Sequence, residues 1–151
     1  MSFHNIALFL HLFGVITWVG GMAFAYFCLR PAAGTLSPAD RLALWCAVFR
    51  RFFALVWISI ALILASGFGT LIKVGFGNAP PAWHLMMAIG LVMVAVFVNL
   101  WFGPWQRLQA AVAGQDWASG AGALNAIRQR VALNLGLSAV NIAAATLGLA
   151  W

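Results

Sequence analysis

Acidic residues are almost missing from this chain. Among 151 residues only Asp40 and Asp116 are acidic, against eight Lys and Arg, and charged residues of both signs make up 7%. A soluble domain of this size could not cover its surface with so few charges, which excludes a water-soluble globular fold. Cysteine is scarce as well. Cys28 and Cys46 have no CxxC spacing, so no disulfide is expected and both read as small buried hydrophobes. The first five residues lack Lys and Arg, and the apolar run after them is too long for a cleavable signal peptide. The first helix is therefore expected to stay in the mature protein.

What the chain does have is apolar length. Hydrophobic residues make up 65% of it, and four stretches of spanning length occur at about 5–28, 52–73, 82–103 and 131–151. Each approaches the ~20 residues needed to cross a hydrocarbon core ~30 Å thick. Without water to satisfy the backbone, each must be helical. The expected fold is all-α: one domain, an integral membrane four-helix bundle.

The net charge of +6 has its own distribution. Arg30, Arg41, Arg50 and Arg51 lie between the first two spans, and Arg107, Arg128 and Arg130 between the last two, leaving only Lys73 for the other side. The positive-inside rule then predicts both termini outside, an N-out/C-out topology in a bacterial inner membrane. The basic surplus reads as a topology signal with lipid-phosphate contacts, not as a nucleic-acid site.

Local signals refine the elements. Ser37, Pro38 and Asp40 form a helix start that should run on into the second span. Pro104 predicts a bend where the third span leaves the membrane. Residues 114–122 read as a small-residue turn, after which Leu124, Ile127, Val131 and Leu135 keep a helical period. Trp45, Trp57, Trp83, Trp101, Trp105, Trp117 and Trp151 sit near span ends, as an interfacial belt requires, while Trp18 lies deeper and reads as packing.

Two histidines stand out against this background. His11 is six residues into the first span and His84 about two into the third. Both helices run the same way, so both imidazoles fall within roughly 5–10 Å of one interface. An ionisable group inside a span is costly and marks a functional site by default, and neutral imidazole is the commonest metal ligand. On the His11 stripe lie Trp18 and Met22, with Gly14 beside it and His4 seven residues earlier, near the water interface. Met87 stands one turn beyond His84. The second span carries Ser59, Ser66, Thr70 and Lys73, with Gly67 and Gly69 alongside; the fourth carries Asn134, Ser138, Asn141, Ala145 and Gly148 on one face. Such small and hydroxylated residues usually serve helix packing, but a buried Asn141 can orient a ligand.

The stretch from His11 through Trp18, Gly20, Gly21 and Met22 resembles the first helix of CopD-like membrane proteins and of the related HemJ-type protoporphyrinogen oxidases. The resemblance continues through Leu29-Arg30-Pro31, Trp83-His84-Leu85-Met86, Phe102-Gly103-Pro104-Trp105, Ile127-Arg128 and Asn134-Leu135, so it spans nearly the whole chain. The oxidase branch implies haem b held by a first-helix His, matched by His11, and a third-helix Lys, where this chain has His84. It therefore implies a bis-His pair while departing from the oxidase pattern. The CopD branch implies copper uptake, with His11, His84, Met22 and Met87 as soft ligands.

The residues favour a fixed haem b site over copper, because the soft groups stop in the outer half. Haem b would sit between His11 and His84 against Gly14, Trp18, Gly67 and Gly69, its propionates reaching Lys73, His4 or water. Bis-His ligation leaves iron no open position and suits electron transfer, with a quinone, a porphyrinogen or another small redox substrate as partner. Copper uptake or resistance is the alternative, and a cofactor-free structural subunit the third reading. Ala144 and Gly148 form a small-xxx-small pair that could pack a homodimer.

Overall fold

Each change of helix character in this chain can be traced to a proline, a cap or a turn glycine. The computed structural model describes residues 3–147, all of them helix or short connection. The first rod is α1 (Phe3–Phe24), a π-helical segment (Ala25–Leu29) and α2 (Arg30–Ala33); the second is α3 (Pro38–Val74). The third is α4 (Pro81–Leu100), a π-helical segment (Trp101–Trp105) and α5 (Gln106–Ala113), and the fourth is α6 (Trp117–Thr146). Both π-helical segments accompany a proline, Pro31 just after one and Pro104 inside the other. A proline ring clashes with the carbonyl four residues back, and widening the turn relieves the clash without ending the helix. The third rod therefore passes through Pro104, and the Gln106 side-chain amide donates to the Trp101 carbonyl at 3.2 Å.

The rods Phe3–Ala33, Pro38–Val74 and Pro81–Ala113 are long and apolar enough to cross a membrane. The expected fourth span, 131–151, coincides with the second half of α6, and residues 148–151 lie outside the described part. The helix start at Ser37 is as expected: its hydroxyl accepts from the Asp40 N–H at 3.2 Å and donates to the Asp40 carboxylate at 2.6 Å. From there α3 runs 37 residues, about 55 Å at 1.5 Å per residue, well beyond a ~30 Å hydrocarbon core. The first third of α3, with Arg41, Arg50 and Arg51, extends past the apolar span.

Three expectations differ from the structure. Trp45 and Trp105 are not belt residues; they are buried at 2% and 3% exposure. Because the rods outrun the membrane, the bundle core continues there as an aromatic cluster. Trp45 and Phe49 have centroids 4.8 Å apart, Phe49 stacks on Phe53 at 4.9 Å, and Phe53 meets Trp105 edge-on at 5.4 Å and Phe97 at 5.5 Å. Cys46 is buried as expected, but Cys28 is exposed. The turn expected over 114–122 is shorter. Asp116 caps α6 by accepting from the Ser119 N–H at 3.0 Å, so Gly120 and Gly122 are already helical. Gly120 lies against Leu42, whose Cδ1 would be 2.9 Å from an added Cβ.

Antiparallel pairing organises the four rods: α1 packs chiefly on α3, and α4 on α6. Gly14 lets the first pair approach closely, since a Cβ there would meet Ile63 Cγ1 at 2.9 Å and the Ser59 carbonyl at 3.0 Å. The small polar face of α6 turns inward as expected. Asn134 and Ser138 are buried, and the Asn134 amide donates to the Met93 carbonyl at 3.1 Å, tying α6 to α4. Ala144 is also buried within the chain; its expected partner Gly148 lies outside the described residues.

Candidate functional site

The aromatic cluster fills one half of the bundle; in the other half the four rods separate around a cavity of about 300 Å³. This is the low end of the ~300–1,000 Å³ range of ligand pockets. From α1 it is lined by His4, His11, Val15 and Trp18, and from α3 by Ser66, Gly67, Thr70 and Leu71. Its α4 wall is Trp83, Met86, Met87, Gly90 and Met93, and its α6 wall includes Ser138 and Asn141. His4, His11 and Trp18 are seven residues apart and so share one face of α1. Trp18 closes the deep end, packed edge-on against Phe97 at 6.2 Å.

His11 is held by a directional chain of hydrogen bonds. Ser66 Oγ donates its single proton to the Leu62 carbonyl at 2.6 Å, with the Ile63 carbonyl at 3.1 Å. It therefore accepts from His11 Nδ1–H at 3.0 Å. With Nδ1 carrying the proton, the lone pair resides on Nε2, the atom left free for a ligand. Bonds from the second ring nitrogen of this kind fix the tautomer and orientation of ligating histidines. Gly67 lies beside the ring, where an added Cβ would make ordinary contact at 3.6 Å from His11 Cε1. Thr70 donates to the Ser66 carbonyl at 2.9 Å, which steadies the same turn of α3.

Other expected residues lie elsewhere. His84 does not line this cavity; its Nε2 donates to the Phe76 carbonyl at 3.1 Å, in the short connection ahead of α4. Met22 is buried in the core beyond the cavity. Gly14 serves helix packing, and Gly69 faces Phe3, whose Cζ would be 3.4 Å from an added Cβ. Lys73 holds its ammonium 4.6 Å above the Phe3 ring. Of the expected site, His11, Trp18, Gly67, Asn141 and Met87 come together.

Met86 was not expected at the site, and His4, expected only near its water-facing edge, lines the cavity itself. For His4 the signal was present, as it repeats the seven-residue spacing from His11 to Trp18. For Met86 the clue was its neighbours: Trp83, Met87, Gly90 and Val94 follow the i, i+4, i+7, i+11 pattern of one helix face, and Met86 flanks it.

The donor set has a definite character. Two imidazoles and the thioethers of Met86, Met87 and Met93 line the cavity, together with hydroxyls and one amide, and no carboxylate. Asn141 Oδ1 is buried without a hydrogen-bond partner. No group of three or more His, Cys, Asp or Glu suited to a metal ion occurs among the described residues, so any metal held here would need the methionine sulfurs.

The sequence model of the family described as copper resistance protein D, CopD, matches residues 46–147. The chain belongs to the CopD family. The matched stretch runs from Cys46 in α3 to Leu147, and includes His84, Met86, Met87, Met93 and Asn141. His4 and His11 on α1 precede it. No curated protein and no solved structure matches the chain.

Proposed function

We propose that this CopD-family chain takes up copper, as Cu(I), from one face of the membrane into the cavity between its four rods. The observation that carries the reading is the donor set, imidazole and thioether without carboxylate. Soft sulfur and imidazole ligands suit Cu(I), whereas carboxylate-rich sites suit harder ions. Charge points the same way. Desolvating an ion in apolar surroundings is costly, and the cost rises steeply with charge, so a carboxylate-free cavity favours a monovalent ion over a divalent one. His11 Nε2, its tautomer set by Ser66, is the expected anchor; Met87 and Met86 face it from α4, and His4 stands nearer the mouth. Seven of the eight basic residues lie toward the opposite end of the bundle. By the positive-inside rule the cavity then opens outward, to the periplasm if the membrane is a bacterial inner one.

Haem b between His11 and His84 would need both imidazoles at one cavity. His84 is instead turned to the Phe76 carbonyl. The other imidazole present, His4, is seven residues from His11 on the same helix, about 10 Å along the axis, so the two cannot be axial ligands of one iron. Copper is the better-supported occupant. Beyond Met93 the aromatic cluster closes the bundle, so the cavity is suited to holding the ion rather than to conducting it straight across.

The deciding experiment is Cu(I) titration of the detergent-purified protein against a chromogenic chelator, with metal analysis and a visible spectrum. Stoichiometric Cu(I), weakened in both His11→Ala and Met87→Leu, is the expected result. A protein that loses all copper to a weak competitor overturns the proposal. So does a Soret band that disappears in both His11→Ala and His84→Ala, which would restore the haem reading.

A further inference from the structure

Among the described residues, the buried polar atoms that lack a hydrogen-bond partner differ in kind between the two halves of the bundle. Toward the cavity they are acceptors, Asn134 Oδ1 and Asn141 Oδ1. At the opposite end they are donors, Trp45 Nε1 and Arg128 Nε. Unpaired buried N–H groups are rare in native proteins, and each calls for a specific explanation. Here two occur side by side, because the Arg128 guanidinium lies over the Trp45 ring, 5.8 Å from its centroid.

More positive charge surrounds them. Burial, and then the positive charges of Arg30 and Arg41, pull the Arg128 guanidinium below its usual range. Arg30 comes from α2, Arg41 from the start of α3 and Arg128 from α6, so three separate elements bring guanidiniums near enough for their charges to act on Arg128. Arg30 is exposed and Arg41 and Arg128 are half-buried, which leaves the cluster open on one side. Among the described residues none of the three forms an ion pair with an acid, although Asp40 precedes Arg41 in the chain. The chain has only Asp40 and Asp116, and both are engaged as helix caps, with Ser37 and Ser119. Arg30 lies over the Tyr26 ring at 5.0 Å and Arg128 over Trp45, which leaves like charges and two unpaired donors that an anion would stabilise.

We infer that Arg30, Arg41, Arg128 and the Trp45 indole form a binding site for a phosphate group. The guanidinium fork matches phosphate oxygens bidentately. A phosphate offers enough acceptor oxygens for three guanidiniums and an indole, which one carboxylate does not. The site lies where rods longer than the hydrocarbon core leave it, at the level of lipid headgroups, and basic pockets between membrane helices bind anionic headgroups. The phosphate can thus come from an anionic phospholipid or from a free phosphate ion.

The test is thermal unfolding of the full chain in a neutral detergent. It is titrated with phosphatidylglycerol, and separately with inorganic phosphate against chloride at equal ionic strength. A rising midpoint with phosphatidylglycerol alone assigns the headgroup as source, and a rise with inorganic phosphate above chloride assigns the free ion. In either case the double variant Arg30→Gln/Arg41→Gln should respond with roughly tenfold or more weaker apparent affinity, as expected when charge-assisted hydrogen bonds are removed. These two side chains are not buried, so the double variant is expected to fold, and Arg128→Lys tests the fork in the same assay. No response to either additive, or an unchanged response in the double variant, overturns the inference.

Discussion

Replacing Ser66 by alanine removes one hydroxyl and isolates the bond that orients His11. The Leu62 and Ile63 carbonyls keep their helical backbone partners, so what is lost is the bond from His11 Nδ1–H to the hydroxyl. Hydrogen bonds between membrane helices average about 0.6 kcal/mol and reach about 1.7 kcal/mol, so the fold should survive. Binding should suffer more. Removing the partner of a ligating histidine typically costs about 10–100-fold in metal affinity, equivalent to ~1.4–2.7 kcal/mol, because the ring is then free to rotate and to change tautomer. In the chelator competition, Ser66→Ala should bind Cu(I) at least tenfold more weakly, by that rule, while its melting midpoint falls only slightly. Ser66→Thr retains the hydroxyl and should stay near wild type. Wild-type copper affinity in Ser66→Ala, with the fold intact, would refute the tautomer argument and leave Ser66 as helix packing.

Further predictions address the frame around the site. Gly14→Ala should destabilise the α1–α3 contact, because its Cβ would meet a backbone carbonyl that cannot yield; an overpacking cost of about 2 kcal/mol corresponds to a fall of roughly 4–8 °C in the melting midpoint. Gly67→Ala should leave that midpoint near wild type, since the added Cβ makes only ordinary contact with His11. Phe53→Ala removes a side chain that is 1% exposed at the centre of the aromatic cluster, and should cost about 3–5 kcal/mol in unfolding free energy. Asp116 is held below its ordinary value by hydrogen bonds from Ser119. Its contribution should therefore be complete above the ordinary carboxylate range and lost as pH falls through the lowered value. Melting curves of wild type and Asp116→Asn between about pH 2 and pH 6, bracketing the usual ~3.9, should converge at the acid end.

Depth along each helix was legible in the sequence, and rotation about each axis largely was not. The apolar runs placed the spans, Ser37-Pro38-Asp40 placed the start of α3, and the inward face of α6 followed from the spacing of Asn134, Ser138 and Asn141. The Asp116 cap was equally readable, as an acid three residues before Ser119, but stood in a stretch whose glycines suggested a longer turn. Trp45 and Trp105 were misplaced because an interfacial belt and a core that outruns the membrane both put tryptophan near span ends. Only packing distinguishes the two.

His84 shows why the site itself was harder. In a soluble bundle the polar face of each helix marks the solvent side and so fixes its rotation. In a membrane the lipid is as apolar as the core, and that reference is lost. On α1 a substitute existed: His4, His11 and Trp18 recur every seven residues, which fixes one stripe, and that stripe faces the cavity. On α4 no polar repeat accompanied His84. Its neighbours Trp83, Met87, Gly90 and Val94 define the cavity face by spacing, but all are apolar and equally suited to lipid. Matched depth therefore made His11 and His84 look like a pair, although depth fixes only one of the two coordinates that ligation requires. Rotation fixes the other, and it set Met86 and Met87 on the wall of the cavity that His11 lines, while His84 turned to the Phe76 carbonyl. With one imidazole anchored and three thioethers on the α4 wall, the donor set is what the copper proposal rests on.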